Sequence, residues 1–368
     1  MTRAAVLHEV GADLSVEDVV LLAPKPTEVR VRLGASGVCH SDVMAARGGM
    51  PSPMPIILGH EGAGVVEAVG DAVTRVKVGD HVILSWAPSC GVCLHCLNGR
   101  SNLCAAYAPR VLDGGLLDGT SRFRTPDGRP ISQYSFLATF TEETVVPEEC
   151  CVVIDREMPL MPASLIGCAV MTGVGAALFS GNVRTGNIVA VYGGGGVGLN
   201  AVQGAVVAGA SRVIVVDTNP EKHNVATLFG ATDFVVAGDD SASEQILELT
   251  GGVGADVVIE ASGHAGAMGD AYSAARRAGR IVYVGVAPSD AVVQLPASRL
   301  PREEKTIVGS FYGSAIPPRD FPLVVDLYRA GKLKLDELVG SVVPLREINK
   351  VFGAPTNAAR SVVTFEGN

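Results

Sequence analysis

The chain has 368 residues, 48% of them hydrophobic and 18% charged, enough to bury more than one core without disulfide staples. Its formal net charge of −9 at neutral pH argues against nucleic acid or an anionic membrane surface as the main partner. The acidic excess is spread along the chain and reads as solubility.

The N-terminal segment Met1-Thr2-Arg3-Ala4-Ala5-Val6-Leu7-His8 lacks the long apolar run and small-residue cleavage site of a secretory signal, and the expected compartment is the cytoplasm. Residues 1 to about 160 are rich in short strands and turns. Val29-Arg30-Val31-Arg32-Leu33 and Gly64-Val65-Val66-Glu67-Ala68-Val69 carry the period-2 alternation of half-buried strands. The apolar stretch from Met158 to Phe179 is long enough to resemble a membrane span, but Pro159, Pro162, Gly167, Gly173 and Gly175 interrupt it. It is expected to be a buried loop leading into a helix.

From about residue 184 strands and helices alternate. Asn187–Tyr192, Arg212–Val216, Phe234–Val236, Asp256–Ile259, Arg280–Val284 and Thr306–Val308 are β-branched runs, with Ala-rich helical segments at Leu199–Ala208 and Glu221–Phe229. Continuous apolar strands alternating with helices predict a parallel sheet covered on both faces, and six of them match a doubly wound dinucleotide fold. Near residue 312 the texture becomes mixed again, and the chain is expected to rejoin its first domain.

Gly193-Gly194-Gly195-Gly196-Val197-Gly198 fits G-x-G-x-x-G at 193, 195 and 198. It follows a strand, opens an Ala-rich helix and precedes Asp217 at the end of the next strand. The first glycine permits the tight turn, the second lets backbone approach a pyrophosphate, and the third lets helix and strand pack closely. Asp217 suits a ribose hydroxyl and would repel a 2′-phosphate, which favours NAD over NADP.

Cys90, Cys93, Cys96 and Cys104, with gaps of two, two and seven residues, supply four thiolates from one loop. Such a set closes a tetrahedral site for zinc or an iron–sulfur cluster. Ferredoxin spacing places the fourth cysteine after three residues and follows it with proline, so zinc is preferred, in a structural role without an open position. His95 is expected at the surface. Cys39, His60 and Cys168 are far apart in sequence; by themselves they read as buried cysteines and a core histidine more readily than as metal ligands.

Gly59-His60-Glu61-Gly62-Ala63-Gly64, the four-cysteine lobe, the glycine-rich turn and Asp217 occur in an order and spacing that resemble zinc-containing medium-chain alcohol dehydrogenases over essentially the whole chain. Gly114–Phe123 resembles the long-loop branch that includes glutathione-dependent formaldehyde dehydrogenases. Gly309–Ser314 and Leu327–Leu338 are most similar to actinobacterial members, some of which hold NAD(H) as a prosthetic group.

The resemblance implies an α/β protein: a mainly-β GroES-like catalytic domain over 1–169 and 312–368, with a lobe near 90–104, and a Rossmann NAD-binding domain over 170–311. It implies catalytic zinc on Cys39, His60 and Cys168, structural zinc on the lobe cysteines, and Asp42 and Glu61 behind the catalytic ion. By the same resemblance Ser41 contacts the substrate oxygen, Trp86 lines the pocket, and Thr172 and Val197 flank the nicotinamide. Gly193, Gly195, Gly196 and Gly198 cradle the phosphates, Asp217 and Lys222 hold the adenosine ribose, and Arg360 and His40 meet the pyrophosphate. The chain departs from the pattern at Met44, where the relay histidine is expected, and at Ala108, where glutathione-dependent enzymes carry arginine.

The expected reaction is zinc-dependent oxidation of an alcohol to an aldehyde or ketone, and its reverse, with NAD as hydride carrier, in a homodimer or homotetramer. Its partner is a small-molecule alcohol or aldehyde, with no nucleic acid and no membrane. The alternatives are a nicotinoprotein with tightly bound NAD(H) and an external acceptor, a thiol-adduct-dependent formaldehyde dehydrogenase, and a non-catalytic dinucleotide-binding protein.

Overall fold

The computed structural model describes residues 1–238, 241–354 and 360–365. The chain divides into two compact units, one of Met1–Cys168, Ile316–Gly331 and Leu335–Asn368, the other of Ala169–Ala315 and Lys332–Lys334.

The first unit is built of β-structure. Thr2–Leu7, Ser15–Leu21, Phe123–Arg124, Pro130–Gln133 and Ile56–Ile57 close a small barrel. A seven-stranded sheet runs through Cys151–Ile154, His81–Leu84, Glu61–Val69, Glu28–Val38, Arg360–Thr364 and Val339–Pro344, and Glu143–Pro147 also pairs with Glu28–Val38. The alternation expected at 29–33 is present: Val29, Val31 and Leu33 are buried, Arg30 is half-buried and Arg32 exposed. The two arginines pair with Glu143 and Glu67 on neighbouring strands, a cross-strand arrangement that keeps charge off the core face. The second predicted strand starts three residues earlier than its apolar run, at Glu61, so His60 lies immediately before a fixed strand.

In the second unit six strands form one parallel sheet: β1 (Ile188–Tyr192), β2 (Arg212–Asp217), β3 (Asp233–Val236), β4 (Ala255–Glu260), β5 (Ala275–Tyr283) and β6 (Thr306–Gly309). Their order is β3-β2-β1-β4-β5-β6, the doubly wound order with its switch point between β1 and β4. The glycine-rich turn joins β1 to the helix Gly196–Val207. Residues 332–334 return to this unit: Lys334 N donates to Gln203 Oε1 at 2.6 Å and Lys334 Nζ to Leu228 O at 2.6 Å.

The stretch expected to be a loop entering a helix is instead one helical run, Leu160–Ser180. Pro159 caps it and Pro162 sits in its first turn, where no intrahelical N–H is lost. Its glycines serve close approach: an added Cβ would meet Leu84 O at Gly167, Val197 O at Gly173 and Gly313 O at Gly175. Among the described residues this is the one helix long and apolar enough to cross a membrane, yet 78% of its apolar window is buried in the fold, as for a core helix.

Candidate metal and cofactor sites

Cys39 ends the strand-to-helix corner before His40–Ala46, His60 precedes the strand Glu61–Val69, and Cys168 lies in a widened π-turn at Ile166–Val170, a distortion that re-aims a helical side chain. The ligand atoms of Cys39, His60, Glu61 and Cys168 all lie within 4.8 Å of one another. A tetrahedral zinc with sulfur ligands at about 2.3 Å needs ligand separations of about 3.8 Å, so two sulfurs and an imidazole so gathered fit the ion.

Asp42 organises this group from behind. Its Oδ1 accepts from Gly59 N at 3.1 Å and meets His60 Nδ1 at 2.9 Å, while Oδ2 accepts from Cys39 N at 3.0 Å. An ionised carboxylate only accepts, so Nδ1 carries the proton and the Nε2 lone pair is left for metal. Arg360 Nη2 lies 3.4 Å from Cys39 Sγ and 3.2 Å from Glu61 Oε1.

All six groups are nearly inaccessible, and their proton affinities respond. A hydrogen bond from Cys168, with the Arg360 and His60 charges, lowers the Cys39 thiol well below its usual range despite burial. Burial opposes charge on His60, but the Asp42 carboxylate outweighs it and the imidazole rises. Burial pushes Glu61 up to about 7 against the pull of Arg360. Two cysteine sulfurs and an imidazole nitrogen, backed by carboxylates, are the donor types that suit a zinc ion.

Around this candidate ligand group, Trp86 meets the His60 ring edge-on with centroids 6.3 Å apart, and Ser41 Oγ lies 3.7 Å from Cys39 Sγ. Tyr134, absent from the sequence expectations, also faces His60 edge-on at 5.8 Å, and its hydroxyl reaches Met50 Sδ at 3.6 Å. It stands in an irregular loop where Ser135, Phe136 and Ala138 adopt positive φ, and no motif marks it. The contact of Arg360 with Glu61 and Cys39 is likewise unannounced by the sequence. His40 is exposed on the first turn of its helix.

The lobe cysteines Cys90, Cys93, Cys96 and Cys104 also have their sulfurs within 4.8 Å of one another. Backbone N–H groups point at them: Cys90 N at Cys104 Sγ, 3.3 Å, and Ala105 N at Cys93 Sγ, 3.5 Å. Hydrogen bonds from the Cys96 and Ala105 backbone bring Cys93 down to about 6, whereas burial pushes Cys96 up to about 12. Donors aimed at sulfur favour thiolates, the form that binds zinc. His95 is exposed.

In the second unit each fingerprint glycine has its own reason. Gly193 has φ +94°, which disfavours a side chain. An added Cβ on Gly198 would strike Gly193 O. At Gly195 an added Cβ would meet nothing within 4 Å, so a glycine is required there only by something that approaches from outside the chain. Gly196 begins the helix and Val197 lies in its first turn. Asp217 Oδ2 accepts from Gly194 N at 2.7 Å and from Lys222 Nζ at 2.9 Å. Asp217 Oδ1 accepts from Asn219 N at 2.9 Å. Thr172 is buried with no hydrogen-bond partner for its hydroxyl.

Two family models match the chain, the alcohol dehydrogenase GroES-like domain over residues 25–156 and zinc-binding dehydrogenase over residues 196–330. The chain is 41% identical over 352 residues to the NDMA-dependent alcohol dehydrogenase of Amycolatopsis methanolica, spanning 95% of this chain and 94% of that one. It belongs to the zinc-binding medium-chain alcohol dehydrogenase family. Other members of the family similar to it include the S-(hydroxymethyl)glutathione dehydrogenase of Saccharomyces cerevisiae, 39% identical over 356 residues that span 95% of this chain and 92% of that one. The benzyl alcohol dehydrogenase of Acinetobacter calcoaceticus superposes with a TM-score of 0.93 at 29% identity, covering 99% of each chain. As an alcohol dehydrogenase of this family the chain is a zinc enzyme that oxidises alcohols.

Proposed function

We propose that the enzyme oxidises a small alcohol to an aldehyde or ketone with NAD as hydride acceptor, zinc being held by Cys39, His60 and Cys168. The observation that carries the cofactor assignment is Asp217, a buried carboxylate at the end of β2 joined to the glycine-rich turn through Gly194 N. Its negative charge favours ribose hydroxyls and opposes a 2′-phosphate. Gly193, Gly195, Gly196 and Gly198 leave room for the pyrophosphate, Lys222 shares the ribose with Asp217, and Thr172 and Val197 meet the nicotinamide. His40 and Arg360 are assigned to the pyrophosphate by the family resemblance alone.

When bound, zinc supplies Lewis acidity that lowers the pKa of a substrate hydroxyl, and NAD supplies the hydride acceptor. The chain's own groups orient and relay. Asp42 fixes the His60 tautomer, and Trp86 walls the substrate position. Ser41 Oγ relays the substrate proton, accepting it while giving up its own outward, and Met44 offers no titratable group for the next step. Cys90, Cys93, Cys96 and Cys104 hold the structural zinc. Turnover with NAD and NADP tests the assignment: kcat/KM is expected to favour NAD, and Asp217→Ser to narrow the difference. Equal use of both cofactors by the unaltered enzyme would overturn it.

A second reading is favoured by the relative whose name marks it as NDMA-dependent. In it NAD(H) stays bound through turnover and an external acceptor reoxidises it. Denaturing the purified enzyme and assaying the supernatant for nicotinamide separates the two: about one per subunit supports retention, none supports exchange.

A further inference from the structure

β4 ends on Glu260, a carboxylate that is fully buried and lies in none of the motifs described above. Its Oε1 accepts from Ser262 N at 2.7 Å, from Gly263 N at 3.0 Å and from the Ser262 hydroxyl. Its main-chain oxygen accepts from Val284 N at 2.9 Å and Gly285 N at 3.0 Å. One residue thus ties together the turns that follow β4 and β5.

Those turns abut the glycine-rich turn after β1. Ala261 N donates to Tyr192 O at 2.8 Å, and a Cβ on Gly193 would lie 3.1 Å from Ser262 N. A Cβ on Gly263, whose φ is +74°, would lie 2.5 Å from Val286 O. Three loops at the carboxyl end of the sheet therefore share one packed seam at the switch point between β1 and β4, where open α/β sheets bind their ligands. A carboxylate is an expensive group to bury. Of the two carboxylates on β4, Asp256 is half-buried and pairs with Arg276, whereas Glu260 is fully buried with no cation in a salt bridge to it among the described residues, so the acceptor has a specific task.

We infer that Glu260 is a positioning residue for the dinucleotide, holding the 261–263 and 284–286 turns so that the backbone beside Gly193 is preformed for the cofactor. The inference rests on the NAD reading above. Removing the acceptor leaves the Ser262 and Gly263 donors unsatisfied, and the seam must rearrange. Oε1 takes the bonds from Ser262 N, the Ser262 hydroxyl and Gly263 N, and Oε2 has only a longer shared contact with Gly263 N at 3.3 Å, so an amide with its oxygen at the Oε1 position keeps the three shorter bonds.

The test measures NAD binding by calorimetry on the zinc-loaded enzyme, stripped of any retained nicotinamide, with steady-state kinetics alongside. Glu260→Ala is expected to weaken NAD binding at least ~10-fold and raise the NAD KM similarly, with kcat at saturating NAD and the alcohol KM within about 3-fold. Glu260→Gln should restore binding to within about 3-fold of the unaltered enzyme. Should Glu260→Ala not fold, Ser262→Ala decides: loss of one donor is expected to weaken NAD about 3-fold or more. Unchanged affinity in Glu260→Ala, or in Ser262→Ala where that variant decides, overturns the inference, as does Glu260→Gln as weak as Glu260→Ala. Failure of the unaltered enzyme to bind NAD would overturn the cofactor reading and this inference together.

Discussion

Asp42 serves two of the proposed metal ligands with one carboxylate: Oδ1 takes His60 Nδ1 and Gly59 N, and Oδ2 takes Cys39 N. In Asp42→Asn one oxygen becomes a donor that faces existing donors. The expected result is a ~10–100-fold loss of catalytic-zinc affinity or turnover, with lobe zinc retained. Chelator competition with elemental analysis measures it, and wild-type affinity would dismiss the role. Cys39→Ala removes a ligand outright, so turnover should vanish and zinc fall from near two per subunit towards one, with the circular dichroism spectrum unchanged. Residual turnover in that variant without its second ion would count against the metal assignment. At this scale the sequence shows its chemistry where a motif fixes the spacing, as in the lobe. Cys39 and Cys168 are 129 positions apart, and only family resemblance joined them. Tyr134 was hidden because its approach to His60 depends on the positive-φ loop that follows it, a backbone path that residue type does not encode.

The lobe is an element with little apolar burial of its own. Val92, Leu94 and Leu97 are 77%, 73% and 73% exposed, and the helix Leu94–Leu97 buries no residue. On the proposed assignment, metal supplies most of what holds it. Cys93→Ser is expected to make the lobe the first site of limited proteolysis and to release one zinc, while the rest of the chain remains resistant. A lobe as resistant as the unaltered one would mean packing holds it. In the run Leu160–Ser180 the opposite regime applies. Gly173 has no room for a methyl against Val197 O, and Gly173→Ala should cost about 1–3 kcal/mol by overpacking, read as a lowered Tm. Proline and glycine there suggested interruption, because residue type alone does not say whether a glycine breaks a helix or lets one pack closely.

At the scale of the chain, the six β-branched runs sufficed for the doubly wound sheet, since the inner strands β1, β2 and β4 are buried along most of their length and their pattern is local. The return of Lys332–Lys334 to the second unit rests on Leu333, 2% exposed, and on hydrogen bonds more than a hundred positions distant; no local pattern announces it. One apolar cluster, including Leu7, Val31, Ile57, Phe123 and Phe140, lies wholly within the first unit. Another, including Ala190, Ile214, Val258, Tyr272 and Ile281, lies wholly within the second. Units with their own cores can open separately, and a ligand slows exchange only for openings that release it. A ligand at 100 times its Kd stabilises by about 2.7 kcal/mol, roughly 100-fold in exchange rate. Saturating NAD should therefore slow hydrogen exchange in β1, β2 and β4, leaving barrel strands such as Thr2–Leu7 and Ser15–Leu21 within about 3-fold of their free rates. Mass-spectrometric exchange with and without NAD measures this directly. Equal protection of the barrel would mean that the chain opens only as a whole, and the separate cores would then not be separate units of stability.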